Sequence, residues 1–341
     1  MVLKKKLLKI INNYFPDANT DAKKWQEILN GSDNKFSTFH LLSSIEYYVS
    51  YFSDRDAVNL SIVLSDNQQA VGIFSLMAHK NKNNEWILSS NGTEIIEPVF
   101  KKSLENKIKK KIEKKILNLI FDISKELKTD KCQFTNMELF KLSGWYIKLL
   151  GLADETFTTY HHLINLDLSI EEIRLKFRKS FKPLVNKGLR EWKVQVYEKV
   201  TQEMFEEFRL LHKSVAGKST RSIESWNIQQ KQINSEEAFF VTLKDSKNIL
   251  AGAGLFTYCK EVGRYSVGVY KSKYKSLGHT VQMKAIETFK NKGLKWYEMG
   301  PKNLTIDKNS PSEKELSISF FLEGFATDLI ARQHLLINMH N

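Results

Sequence analysis

Hydrophobic positions along the chain fall into short strand-like runs parted by polar turns, interleaved with longer stretches of helical period. Residues 57–64 (AVNLSIVL) and 70–78 (AVGIFSLMA) read as two strands joined through Ser65-Asp66-Asn67, a hairpin. A third strand over 85–88 leads into the polar loop 89–93. Pro98 is expected to open a long helix to about Leu127, with Leu104, Ile108, Ile112, Ile116, Ile120 and Ile123 on one face and lysines on the other. A strand at 131–134, a helix around 138–150 and a strand at 161–166 complete the first half. Ser169 and Glu172 have the spacing of a capping box. The basic amphipathic stretch that follows, broken at Pro183 and Gly188, is expected to bridge the two halves.

The second half has a clear order. A strand at 193–197 precedes helices at 201–215 and 224–233. Strands at 238–244, 249–260 and 262–270 follow, then a helix from Leu277 that ends before Gly293. A strand at 295–299, a helix at 312–322 and a last strand from Thr327 close the chain. The expected architecture is α/β (α+β): tandem domains, each a mixed, mostly antiparallel sheet flanked by helices. The boundaries are 1–165, a basic helical connector over 166–192, and 193–341.

Composition narrows the class. The 341 residues are 42% hydrophobic and 11% aromatic, enough for two cores and too apolar for disorder. No apolar run approaches the roughly 18 residues of a membrane span. The N-terminal lysines start like a signal peptide, but Lys9, Asn12 and Asn13 interrupt any apolar core, so a short amphipathic helix and a cytoplasmic chain are expected. Two cysteines, Cys132 and Cys259, make neither a disulfide framework nor a metal cluster. The net charge of +13 suits a polyanionic partner (nucleic acid, a membrane surface or phosphorylated substrates), or equally a solvated lysine-rich surface.

Three segments carry a family likeness. Residues 274–300 (YKSLGHTVQMKAIETFKNKGLKWYEMG) hold a turn, a helix ending Lys-x-x-Gly, and a strand finishing in an acidic residue, an apolar residue and glycine. Residues 163–172 (LINLDLSIEE) with 177–182 (FRKSFK) form a lead-in, and 317–325 (SISFFLEGF) close the set. Together they resemble the FemAB-type aminoacyltransferases of the GNAT superfamily over about the last 180 residues. The resemblance implies an acyltransferase that forms an amide on an amino group of a cell-envelope precursor or surface sugar, with aminoacyl-tRNA as donor. A coenzyme A-dependent N-acyltransferase acting on a nucleotide-linked amino sugar is the alternative, as is a non-catalytic binding module of the same fold. The sequence departs from the family at Leu322, where a lysine is expected.

Amide formation needs an acceptor for the amine proton, stabilisation of the carbonyl oxygen, and alignment of both substrates. Glu298, at a strand end, is the candidate base or amine anchor, against a plain surface carboxylate. Tyr270 is a candidate acid or oxyanion donor. The odd offset between Tyr265 and Tyr270 places them on opposite faces. His279 at a helix start is either a base or a first-turn residue. Lys218 and Arg221 lie in a loop that resembles half a P-loop without its leading glycine, so nucleotide hydrolysis is rejected. They are candidates for holding a phosphate or carboxylate, since arginine offers a bidentate fork. Trp226 and Gln229 border the same cleft or merely pack. Lys314 is a candidate anion contact, and Asn91 is a candidate for acceptor recognition or a simple turn. The turn before Gly278 has one glycine where coenzyme A-binding turns have two or more, which disfavours that donor.

Overall fold

The computed structural model describes residues 2–16, 18–33, 36–307 and 310–340. Among these the chain forms α1 (Val2–Tyr14), α2 (Ala22–Gly31), α3 (Leu42–Tyr51), β1 (Val58–Asn59), β2 (Ile62–Asp66), β3 (Gln69–Phe74), β4 (Met77–Lys80), β5 (Trp86–Ser89), β6 (Val99–Phe100), α4 (Asn106–Leu127), β7 (Lys131–Thr135), α5 (Gly144–Leu150) and β8 (Glu155–Asn165). There follow α6 (Ile170–Lys176), α7 (Phe181–Glu191), β9 (Lys193–Tyr197), α8 (Gln202–Ala216), α9 (Ile223–Asn234), β10 (Ala238–Lys244), β11 (Leu250–Cys259), β12 (Val262–Tyr270), α10 (Leu277–Asn291), β13 (Trp296–Lys302), α11 (Glu313–Glu323) and β14 (Asp328–Asn338). Two compact units result, residues 1–158 with 332–341, and residues 159–331. The expected connector is not a linker. Residues 166–192 form α6 and α7, and Ile173, Phe177, Phe181 and Val185 are buried in the core of the second unit. An amphipathic helix lowers its free energy by burying its apolar stripe, which a solvated bridge cannot do.

In the first unit, the hairpin β2–β3 turns through Asn67 and Gln68, both with positive φ (48° and 66°), the geometry of a two-residue hairpin loop. The apolar run 70–78 breaks into β3 and β4 at Ser75. At this break the Ser61 hydroxyl donates to the Leu76 carbonyl and accepts its N–H, replacing ladder bonds. The long helix starts at Asn106, not at Pro98, because Val99 and Phe100 are claimed by a strand pairing with β3. Gly72 permits that pairing, since a Cβ there would lie 2.7 Å from the Phe100 ring. Likewise α5 begins only at Gly144, capped by Ser143, whose Oγ accepts the Tyr146 N–H. Leu7 and Ile11 of α1, with Phe15 just beyond it, pack with Ile112, Ile116, Ile120 and Ile123 of α4, the stripe expected from the sequence.

In the second unit, strands run in the order β8-β13-β12-β11-β10-β9, antiparallel except for β12 with β13. One face packs on α6, α7 and α10 through Phe239, Val241, Val281, Phe289 and Tyr297. The other face packs on α8 and α9 through Phe205, Phe208, Trp226, Phe240, Leu255 and Val267. Capping matches expectation at Ser169, a complete capping box, and Gly293 follows α10 with φ of 76°; Ser312 adds a second complete capping box. No helix among the described residues is long and apolar enough to cross a membrane.

Candidate active site

The parallel pairing of β12 and β13 lasts for three residue pairs and ends at Arg264↔Glu298. Beyond that point β12 continues along β11 to Tyr270, and β13 continues along β8 to Lys302. Glu298 therefore sits inside a strand at the point where two neighbours part, not at a strand end. It is 3% exposed. His161 Nδ1 on β8 lies 2.7 Å from Glu298 Oε1, and Arg264 Nη2 on β12 lies 3.3 Å from the same oxygen. A buried carboxylate is tolerable only with such partners. The carboxylate accepts, so His161 Nδ1 carries the donated proton, and Nε2 is the nitrogen through which a neutral ring exchanges one. Neither His161 nor Arg264 stands out in the sequence. The only available signal is that both lie in strands beside Glu298, and register, not spacing, makes them neighbours.

A second group lies on the same face. Tyr297 and Met299 belong to the α10 side, so by strand alternation Glu298 points to the α8–α9 side, where Trp226 is buried. Arg221 stacks on Trp226, its guanidinium carbon 4.6 Å from the ring centroid, and donates through Nη1 to Gln229 Oε1 at 3.2 Å. His212 of α8 packs edgewise on Trp226 at 5.2 Å. Burial pushes the His212 imidazole down to about 4, helped by the charges of Arg221 and Lys314. Arg221, Trp226, Gln229 and Lys314 thus share one neighbourhood with His212, a member the sequence reading missed. Lys218 is exposed on the loop ahead of it.

The remaining candidates go elsewhere. Tyr270 faces the α10 side, opposite Glu298. Its hydroxyl is 3.2 Å from that of Tyr265, so the two tyrosines share a face despite their odd offset. The reason is a β-bulge: Leu255 pairs with Val267 and Phe256 with Tyr265, leaving Ser266 as an extra residue in β12. Burial pushes both phenols up, Tyr270 well above the usual range. His279 is also on the α10 side, enclosed by Phe181, Phe321 and Phe325 and bonded through Nδ1 to the Lys275 carbonyl at 3.0 Å. Burial lowers its basicity, which suits a neutral core imidazole. Asn91 lies in the first unit, where Oδ1 accepts the Thr93 and Glu94 N–H groups and Nδ2 donates to Glu94 Oε2, a turn-forming set. Leu322 is buried beside Gly300 of β13, so the position where a lysine was expected belongs to the core.

The turn before α10 is covered. Trp192 Nε1 donates to Ser276 Oγ at 3.3 Å, and the Trp192 and Tyr274 rings meet at 4.8 Å. Gly188 of α7 presses on the first turn of α10, a Cβ there falling 1.8 Å from Thr280 Oγ1.

No protein-family description matches the chain, and no curated protein matches it in sequence. Solved structures do match it. FemX aligns over 92% of this chain and 96% of its own, with 12% identity and a TM-score of 0.65. L-PGS from Bacillus licheniformis aligns over 94% of this chain and 92% of its own, with 12% identity and a TM-score of 0.59. A conserved protein of unknown function from Bacteroides thetaiotaomicron VPI-5482 aligns over 94% and 99%, with 7% identity and a TM-score of 0.62. At these identities the likeness concerns the backbone: the chain has the FemAB-like, GNAT-type fold, a mixed α/β architecture in tandem.

Proposed function

We propose that the chain is an acyltransferase that forms an amide on an amino group of a cell-envelope precursor or surface sugar, with aminoacyl-tRNA as donor. The observation that carries this reading is the buried His161–Glu298–Arg264 group where β12 and β13 part, in a chain whose fold is similar to that of FemX over 92% of its length. Arg264 pairs with Glu298, and Glu298 orients His161. His161 Nε2 then takes the proton released as the amine attacks the donor carbonyl. The tetrahedral adduct collapses with cleavage of the donor ester bond, and the departing tRNA hydroxyl takes up the proton. Arg221, stacked and hydrogen-bonded in advance, holds a phosphate or carboxylate of the substrates, with Lys314 and Lys218 adding charge.

Incubation with charged tRNA and an amine acceptor is expected to release free tRNA. Release of thiol from acyl-coenzyme A instead would favour the alternative donor. Arg221→Lys is expected to raise KM with little change in kcat, because a lysine cannot reproduce the two-pronged contact. Unchanged KM on a folded variant removes Arg221 from the site.

Coenzyme A is expected to bind poorly. Its pyrophosphate needs open backbone N–H groups at a helix start. Here Trp192, Tyr274 and α7 crowd the start of α10. Micromolar or tighter binding of acetyl-coenzyme A in calorimetry would overturn the aminoacyl-tRNA reading.

A further inference from the structure

The first unit holds a pocket that the transfer reading leaves unused. It lies among β6, the first turns of α4 and the start of α5, with a volume of about 250 Å³. That is below the range of pockets for drug-sized ligands, so its occupant is small. Four carboxylates line it, and three are already compensated. Glu113 meets Lys148 and Lys109, Glu138 meets Lys141, and Asp33 meets Lys102. Glu97 differs. Its Oε2 accepts the Met137 N–H at 3.2 Å, while Oε1 is buried without a hydrogen-bond partner. Trp145 Nε1–H, in the wall of the same pocket, is also buried without a partner. Glu97 is 9% exposed and Trp145 5%. Native proteins seldom leave an acceptor and a donor unpaired, and here the two residues that carry them line one cavity. Lys101 and Lys102 also line it, so its wall carries both signs of charge.

We infer that this pocket binds a free α-amino acid, its ammonium donating to Glu97 Oε1 and its carboxylate accepting from Trp145 Nε1–H beside Lys101. A zwitterion matches the wall in size and in both charges. A metal ion does not, for among the described residues no three His, Cys, Asp or Glu groups are placed to hold one. Burial pushes the Glu97 carboxyl up to about 7, so an arriving ammonium finds a group that gains its charge on binding. The inference uses the first unit alone and does not depend on the transfer reading.

The test is a titration of the full chain, labelled with nitrogen-15 at tryptophan, with a panel of free L-amino acids. The Trp145 indole N–H resonance is identified by its loss in Trp145→Phe. At least one amino acid is expected to shift it saturably, and its N-acetyl form, which lacks the ammonium, is expected to leave it unmoved. Glu97→Gln should weaken binding about tenfold or more. Gly144→Met should abolish binding while the fold is kept, since Gly144 lines the pocket and a Cβ there meets nothing within 4 Å. This second variant decides the matter should Glu97→Gln fail to fold. No shift with any amino acid, an equal shift with the N-acetyl form, or unchanged affinity in a folded variant would each overturn the inference.

Discussion

Glu298→Gln is expected to keep the fold and to lower kcat by ~10²–10⁴-fold, the usual contribution of a positioned proton acceptor. Glutamine has the same shape, and its amide oxygen still accepts from His161 Nδ1. It brings no negative charge, so the imidazolium formed as the amine loses its proton has no counter-charge, and Arg264 loses its ion pair. Both losses fall mainly in the transition state, so KM should change little. His161→Asn should cost a similar factor. The double variant should be little worse than either single one, because paired groups act as a unit. Steady-state kinetics on variants checked by circular dichroism would decide. Full activity in Glu298→Gln would sink the assignment, and Tyr270 and His279 offer no ready replacement from the opposite face of the sheet.

Gly188→Ala is the second change with a large expected effect, this time on stability. On α7, Gly188 faces the fully buried Thr280 of α10, and the added Cβ would fall 1.8 Å from Thr280 Oγ1, 3.1 Å from its Cβ and 3.3 Å from Ser276 Cβ. Alanine is ordinarily the better helix former by ~1 kcal/mol. Here overpacking at the crossing, costing about 1–3 kcal/mol, should outweigh that gain. Thr280→Ala removes the nearest atom, and with it a hydroxyl bonded only within its own helix, to the Ser276 carbonyl at 3.0 Å. The double variant should recover most of the loss. Denaturant midpoints for the four proteins of the cycle would test this, and additive single effects would show that α7 and α10 are not locked at this point.

The sequence by itself determined most of the element order, the helix caps and the buried stripes, because these depend on residues a few positions apart. Ser169 with Glu172, Ser312 with Glu315, and the isoleucines of α4 act within a turn or two of their own helix. The FemAB-like character of the second half was legible for the same reason, carried by contiguous turn–helix–strand runs. Only the tertiary structure decided the rest. Pairing with β3 drew residues 99–100 out of an expected helix, and burial turned an expected connector into core. One bulged residue put Tyr265 and Tyr270 on a common face, and strand alternation put Glu298 on the other. His161 and Glu298 meet across 137 positions of sequence through the register of β8 on β13. Strand register is set by the sum of many side-chain contacts across a sheet and by single bulges. A local pattern names the residues that have chemistry to offer, and the long-range packing selects which of them meet.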